Sequence, residues 1–172
     1  MTQRSKTHRE EYQQDPYNDP HHDPYFIREK PPEPALCSNC GVSYERGRFV
    51  WLTNRPKDAH RFTCPACQRI RDHYEGGVVT LEGPFVLSHR EELIHLAHNT
   101  EQAEKGNRPL ERIMSVDDHG DRIVLKTTYE HLAKRIGDAI QRAYKGNLRV
   151  QFQKGDKYAR VWWSFEDEVR DE

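Results

Sequence analysis

The chain has 172 residues, 34% of them hydrophobic and 32% charged. Leu, Ile, Val and Phe make up about 19% of it, at the edge of the disordered range. Yet 27 basic residues nearly cancel 28 acidic ones, and disorder by composition also requires a large net charge. A modest folded body with solvated tails fits both facts. No run of about 18 apolar residues is present, which excludes a membrane-spanning helix. The first residues, Met1-Thr-Gln-Arg-Ser-Lys-Thr-His, lack the apolar core of a secretory signal, so a cytoplasmic location is expected. In that compartment four cysteines are expected to be metal ligands rather than disulfides.

Charge is unevenly spread. Residues 1–30 carry a net −1 and residues 166–172 a net −4, which leaves the body at +4. A mildly basic body permits a nucleic-acid partner without demanding one. Four segments are expected: a disordered Asp-Pro-rich arm over 1–34, a zinc ribbon over 35–75, an α+β domain over 76–165, and an acidic tail over 166–172.

The arm holds three tandem tetrapeptides, Asp15-Pro16-Tyr17-Asn18, Asp19-Pro20-His21-His22 and Asp23-Pro24-Tyr25-Phe26. Each proline pushes the residue before it out of helical backbone, so an extended, solvated run is expected. Tyr17 and Tyr25 are the candidates for a short docking motif toward a protein partner.

Residues 35–75 carry the sharpest signal. Cys37-Ser-Asn-Cys40 is followed, after 23 residues, by Cys64-Pro-Ala-Cys67. Each CxxC pair forms a tight knuckle, with Gly41 and Pro65 as turn residues. Four thiolates close a tetrahedral shell around one Zn(II) per chain and leave no water position, which argues against a catalytic zinc. A strand is expected over 47–52 with its return over 59–62, a ribbon hairpin. A thioredoxin-like CxxC would need a strand and a helix around it, and neither pair is expected to have them. His60 and His73 read as surface residues. Arg46, Arg69 and Arg71 read either as charge balance for the thiolates or as phosphate contacts.

Residues 76–165 read as β-α-β-β-α-β with an extra strand, a ferredoxin-like split βαβ sheet. Val78–Leu81 forms the first strand. Ser88 caps the first helix, with Glu91 completing a capping box. Strands over 110–116 and 122–128 flank a turn at 117–121. The second helix carries an apolar face of Tyr129, Leu132, Ala133, Ile136, Ile140, Ala143 and Tyr144, with Thr128 as cap and Gly146 as stop. Strands over 148–153 and 158–165 finish the domain. Alternation puts Phe152, Val161 and Trp163 on the core face. It puts Arg149, Arg160 and Trp162 on the opposite one, the mixture used by sheets that stack single-stranded bases. Burial of Trp162 under the ribbon or a tail is the competing reading.

Thr127-Thr-Tyr-Glu-His131-Leu-Ala-Lys-Arg-Ile-Gly137, the cysteine pairs and Val79-Thr-Leu-Glu-Gly-Pro-Phe85 together resemble a family of small bacterial zinc-ribbon proteins. That family is similar to a shortened form of the archaeal and eukaryotic nuclear-export adaptor of the large ribosomal subunit. The resemblance spans roughly residues 35–165. It implies a site on ribosomal RNA or a ribosomal subunit.

No P-loop, GxGxxG, HExxH or G-x-S-x-G occurs in the chain. Ser88 and His89 are adjacent on one helix and do not face each other. Asp117, Asp118 and His119 are ordinary turn residues. The chain is therefore expected to be no enzyme. The expected function is RNA binding or ribosome association, with contacts from Arg46, Arg48, Arg69, Arg71, Arg149, Arg160 and Trp162. A protein–protein adaptor using the ribbon and the arm is the alternative.

Overall fold

A computed structural model describes residues 23–27, 29–153 and 157–166. Most of the expected arm, the Gly155-Asp156 link and residues 167–172 of the acidic tail lie outside the described residues. So do Tyr17, His21 and His22.

The first sheet is built from four short strands: β1 (Ala35–Cys37), β2 (Ser43–Glu45), β3 (Arg48–Val50) and β4 (His60–Phe62). Their order is β3-β2-β1-β4. Arg46 and Gly47 join β2 to β3 with φ of 49° and 78°, the positive values that a two-residue type I′ turn demands. The expected hairpin is therefore corrected. Residues 48–50 pair with β2, not with 59–62, and β4 runs parallel to β1. The parallel pairing has a physical reason. β1 ends in Cys37 and β4 leads into Cys64, so parallel strands deliver both cysteine pairs to one end of the sheet.

Helix α1 (Pro65–Asp72) follows at once, with Cys64 at its N-cap and Pro65 in its first turn. The second CxxC thus does sit between a strand and a helix, contrary to expectation. But α1 leads into a different sheet, so no βαβ unit surrounds it.

The second sheet holds β5 (Gly77–Glu82), β6 (Ile113–Asp118), β7 (Arg122–Thr127), β8 (Asn147–Phe152) and β9 (Ala159–Ser164), in the order β6-β7-β5-β9-β8. Helix α2 (Pro84–Lys105) joins β5 to β6, and α3 (Glu130–Tyr144) joins β7 to β8. The extra strand β9 lies beside β5 and parallel to it, which displaces β8 to the edge.

Helix α2 starts a turn before the expected cap, at Pro84. The Ser88 hydroxyl donates back to the Pro84 carbonyl instead of capping, and the helix kinks at His89. His89 Nδ1 meets the Phe85 carbonyl at 3.0 Å, so Ser88 and His89 engage separate partners. Thr128 does not cap α3. Tyr129 holds the N-cap position, and the Thr128 hydroxyl serves the loop before β6.

Both helices cover the same face of the second sheet. Val79, Leu81, Ile123, Leu125, Val161 and Trp163 from the strands bury against Leu93, Ala97, Leu132, Ile136 and Ile140 from the helices. Each buried Val, Leu or Ile side chain among them contributes about 1.5–3 kcal/mol of burial free energy. Phe152, expected in this core, is 48% exposed: it is the last residue of β8, the edge strand. Among the described residues no helix is long and apolar enough to cross a membrane.

Gly137 sets how closely α3 lies on the sheet. A Cβ there would come within 2.6 Å of Val161 Cγ1 and 3.0 Å of Leu148 Cδ1. Gly137→Ala is expected to lower stability by about 1–3 kcal/mol through overpacking, despite alanine's better helix propensity. Chemical denaturation measures it.

Candidate functional site

Both cysteine pairs are shaped by backbone. In the first, Gly41 at φ 78° turns the chain so that its amide meets the Cys37 carbonyl at 3.0 Å, while the Cys37 amide meets Val42 O at 2.8 Å. In the second, the Cys64 Sγ accepts from the Cys67 amide at 3.4 Å, as a helix N-cap does. The start of α1 thereby faces the thiols, where its dipole favours thiolate. Two more amides reach sulfur: Val42 to Cys40 at 3.5 Å and Cys64 to Cys37 at 3.3 Å.

All four Sγ atoms lie within 4.8 Å of one another. The Cys37–Cys67 and Cys40–Cys64 separations are both 3.8 Å. A tetrahedron of thiolates about 2.3 Å from a central ion has edges of roughly 3.8 Å. A disulfide needs a sulfur separation of roughly 2 Å. The donor set therefore fits a four-coordinate metal ion, and every position is filled by sulfur. Cys37, Cys64 and Cys67 are buried and Cys40 is half-buried. His60 and His73 are exposed.

The charge balance comes from a residue the sequence reading missed. Arg112, in the loop ahead of β6, aims its guanidinium at the cluster. Nη2 lies 3.2 Å from Cys40 Sγ, and Nη1 lies 3.4 Å from Cys67 Sγ. Its Nε donates to the Pro109 carbonyl at 3.0 Å. Burial opposes the charge of Arg112, but the hydrogen bonds and attraction of the thiolates outweigh it and hold its pKa above the ordinary range. Cys40 is pushed down to about 4, first by its hydrogen bond with Cys64 and then by the Val42 amide and Arg112, against the opposing effect of burial. The same Cys40–Cys64 contact, together with burial, raises Cys64.

Several contacts fix the Arg112 loop. Thr128 Oγ1 donates to Leu110 O at 2.7 Å and accepts from the Arg112 amide at 2.8 Å. Glu111 is buried and pairs with Arg135 of α3 at 3.0 Å. Trp51, just past β3, donates from Nε1 to the Lys105 carbonyl at the end of α2, and its ring lies 5.7 Å from the Arg112 guanidinium. The cluster is thus closed from both sides, by the first sheet and by the second unit. A lone arginine 45 residues beyond the last cysteine carried no local signal of this role.

The arginines expected near the metal have other places. Arg69 is corrected outright: it is 2% exposed, ion-paired with Asp23 at 2.8 Å and surrounded by tyrosine rings. Arg71 is exposed but paired with Asp72 at 2.8 Å. Arg46 is exposed in the β2–β3 turn, and Arg48 lines a cleft opposite Pro109 and Leu110. None of the four touches a cysteine.

Asp23 and Tyr25 also correct the boundary of the arm. They belong to the folded body, because a buried Arg69 needs a counter-charge.

The uncovered face of the second sheet brings the remaining candidates together. Arg149, Trp162, Thr80 and Val124 lie in one row across β8, β9, β5 and β7. The next row holds Gln151, Arg160, Val78 and Lys126. Arg149 lies 4.1 Å from the Trp162 ring centroid, and Arg160 lies 5.6 Å from that of Tyr158. Trp162 is half-buried, while Arg149 and Arg160 are exposed.

The chain matches no protein-family model, no curated protein and no solved structure.

Removing Arg112 tests the electrostatic account. Arg112→Leu is expected to weaken metal retention about 10–100-fold, the usual effect of losing a second-layer partner. Competition with a chelator measures it. Cys37→Ser should abolish stoichiometric binding, because it removes a ligand.

Proposed function

We propose that this chain is a non-enzymatic zinc protein that binds single-stranded RNA on the uncovered face of its second sheet. The observation that carries the reading is the juxtaposition on that face of Trp162 with Arg149, Arg160 and Lys126. A base has an apolar π-face and a charged phosphate a few ångströms away. A half-buried indole flanked by exposed guanidinium groups matches both. The resemblance of residues 35–165 to small bacterial zinc-ribbon proteins, themselves similar to a shortened ribosomal export adaptor, makes ribosomal RNA the first target to test.

Zinc is the ion we assign to the four thiolates. A closed shell of four sulfurs suits a structural Zn(II), which has no geometric preference of its own. In this reading the first unit is a zinc ribbon. The second is a split βαβ sheet with one strand inserted between its first and last. Zinc would hold the ribbon folded and, through Arg112, hold it against the second unit. It would take no part in chemistry.

Two measurements follow. Purified protein should contain one zinc per chain. Chelation should melt β1–β4 while the helical signal of α2 and α3 persists, because only the first unit folds around the ion. A folded, metal-free protein in reducing buffer would refute the assignment.

The second is a comparison of variants on a single-stranded RNA oligomer at low and moderate salt. Arg149→Ala with Arg160→Ala should weaken binding and flatten its salt dependence, since fewer counterions are released. Trp162→Ala should weaken binding by about 1–3 kcal/mol with little change in salt slope, because stacking carries no net charge. Binding that none of these changes alters, or its absence at low salt, rules out the sheet face. Co-sedimentation with ribosomal particles checks the target.

A further inference from the structure

Independently of the sheet face, the surroundings of Arg69 form a receptor with its ligand in place. The ligand is the turn Asp23-Pro24-Tyr25-Phe26. Its carboxylate meets Arg69 Nη2 at 2.8 Å, with the two side chains 9% and 3% exposed. Its phenol donates to Asp72 Oδ2 at 2.9 Å and packs edge-on against Tyr74 at 5.3 Å. The turn closes on itself: the Tyr25 amide meets Asp23 Oδ1 at 2.9 Å, and the Phe26 amide meets Asp23 O at 3.1 Å. Asp at the first position and Pro at the second favour such a turn.

The receptor is what remains when those residues are set aside. Arg69 then keeps the rings of Tyr74 and Tyr129, whose centroids lie 5.2 and 4.6 Å from its guanidinium, and the Tyr74 carbonyl at 3.5 Å. Among the described residues its buried Nε has no hydrogen-bond partner. None of these groups supplies a counter-charge. A buried guanidinium boxed by rings demands a carboxylate, and Asp72 offers an acceptor for a phenol one turn of ligand away.

The chain carries that ligand twice. Asp15-Pro16-Tyr17-Asn18 repeats the first three residues of the seated turn. The fourth residue differs, but Phe26 is 68% exposed, so the site scarcely reads it. Asp19-Pro20-His21-His22 lacks the phenol.

We infer that the Arg69 pocket is a binding site for Asp-Pro-Tyr turns, filled here by residues 23–25 and open in exchange to Asp15-Pro16-Tyr17 of the same or a second chain. One receptor and two ligands leave a spare ligand on every molecule. That arrangement gives the protein a self-complementary contact.

The test uses the full-length chain and a fluorescent peptide of residues 13–19. In Asp15→Asn/Tyr17→Ala/Asp23→Asn/Tyr25→Ala protein both internal ligands are disabled, so the peptide should bind saturably. It should bind at least tenfold more weakly to wild type, where the seated turn competes. Adding Arg69→Gln, or changing the peptide's aspartate to asparagine, should abolish binding. Zinc content and melting temperature report whether each variant is folded.

A second measurement needs no variant. In wild-type protein carrying fluorotyrosine, millimolar peptide should move the Tyr25 resonance to the position of a free tyrosine. An unmoved resonance, or a folded variant that ignores the peptide or binds its asparagine form equally, overturns the inference.

Discussion

One guanidinium ties the two units of this protein together. Arg112 belongs by sequence to the second unit, yet its nitrogens lie 3.2 Å from Cys40 Sγ and 3.4 Å from Cys67 Sγ in the first. Four thiolates around a divalent ion carry a formal charge of about −2, and a buried excess of that size needs a cation close by. The nearest arginines in sequence do not supply it. Arg112 does so because Thr128, Pro109 and the Glu111–Arg135 pair fix the loop that carries it. The cysteine cluster, the loop before β6 and the start of α3 are therefore one electrostatic assembly.

Arg69 shows the same constraint with a different solution. It lies on α1, two residues past Cys67, but turns away from the sulfurs. Its charge is met by Asp23 and by three tyrosine rings at 4.6–5.2 Å. Tyr129, one of those rings, has its pKa pushed up to about 12, mainly by burial. Buried Arg69 and half-buried Arg112 thus define two junctions. Arg112 joins the first sheet to the second unit, and Arg69 joins the N-terminal segment to α1.

The second sheet owes its open face to where its helices pack. α2 and α3 both pack on the apolar side, where Val161 and Trp163 point. The opposite side chains are left to solvent or to a partner. Arg149 against Trp162 partly shields the indole, which explains how a large aromatic remains on an outer face.

Much of this was legible in the sequence. The spacing of the four cysteines located a cluster that could hold a metal ion, because CxxC geometry is local. Period-two alternation separated Arg160 and Trp162 from Val161 and Trp163, and helical periodicity found α3, because those patterns record a local backbone. Long-range pairing was not legible. The partner of residues 48–50 depended on an Arg46-Gly47 turn and on β1 and β4 running side by side. The insertion of β9 beside β5 followed from no local pattern. The roles of Arg69 and Arg112 could be decided only by the tertiary structure, since an arginine's side chain reaches far and its burial depends on which carboxylate, thiolate or ring the fold brings within a few ångströms. Sequence determined which thiols come together. Folding decided which charge neutralises them, because electrostatic complementarity in a buried site is a property of distance, and distance across 45 residues of chain is set by packing alone.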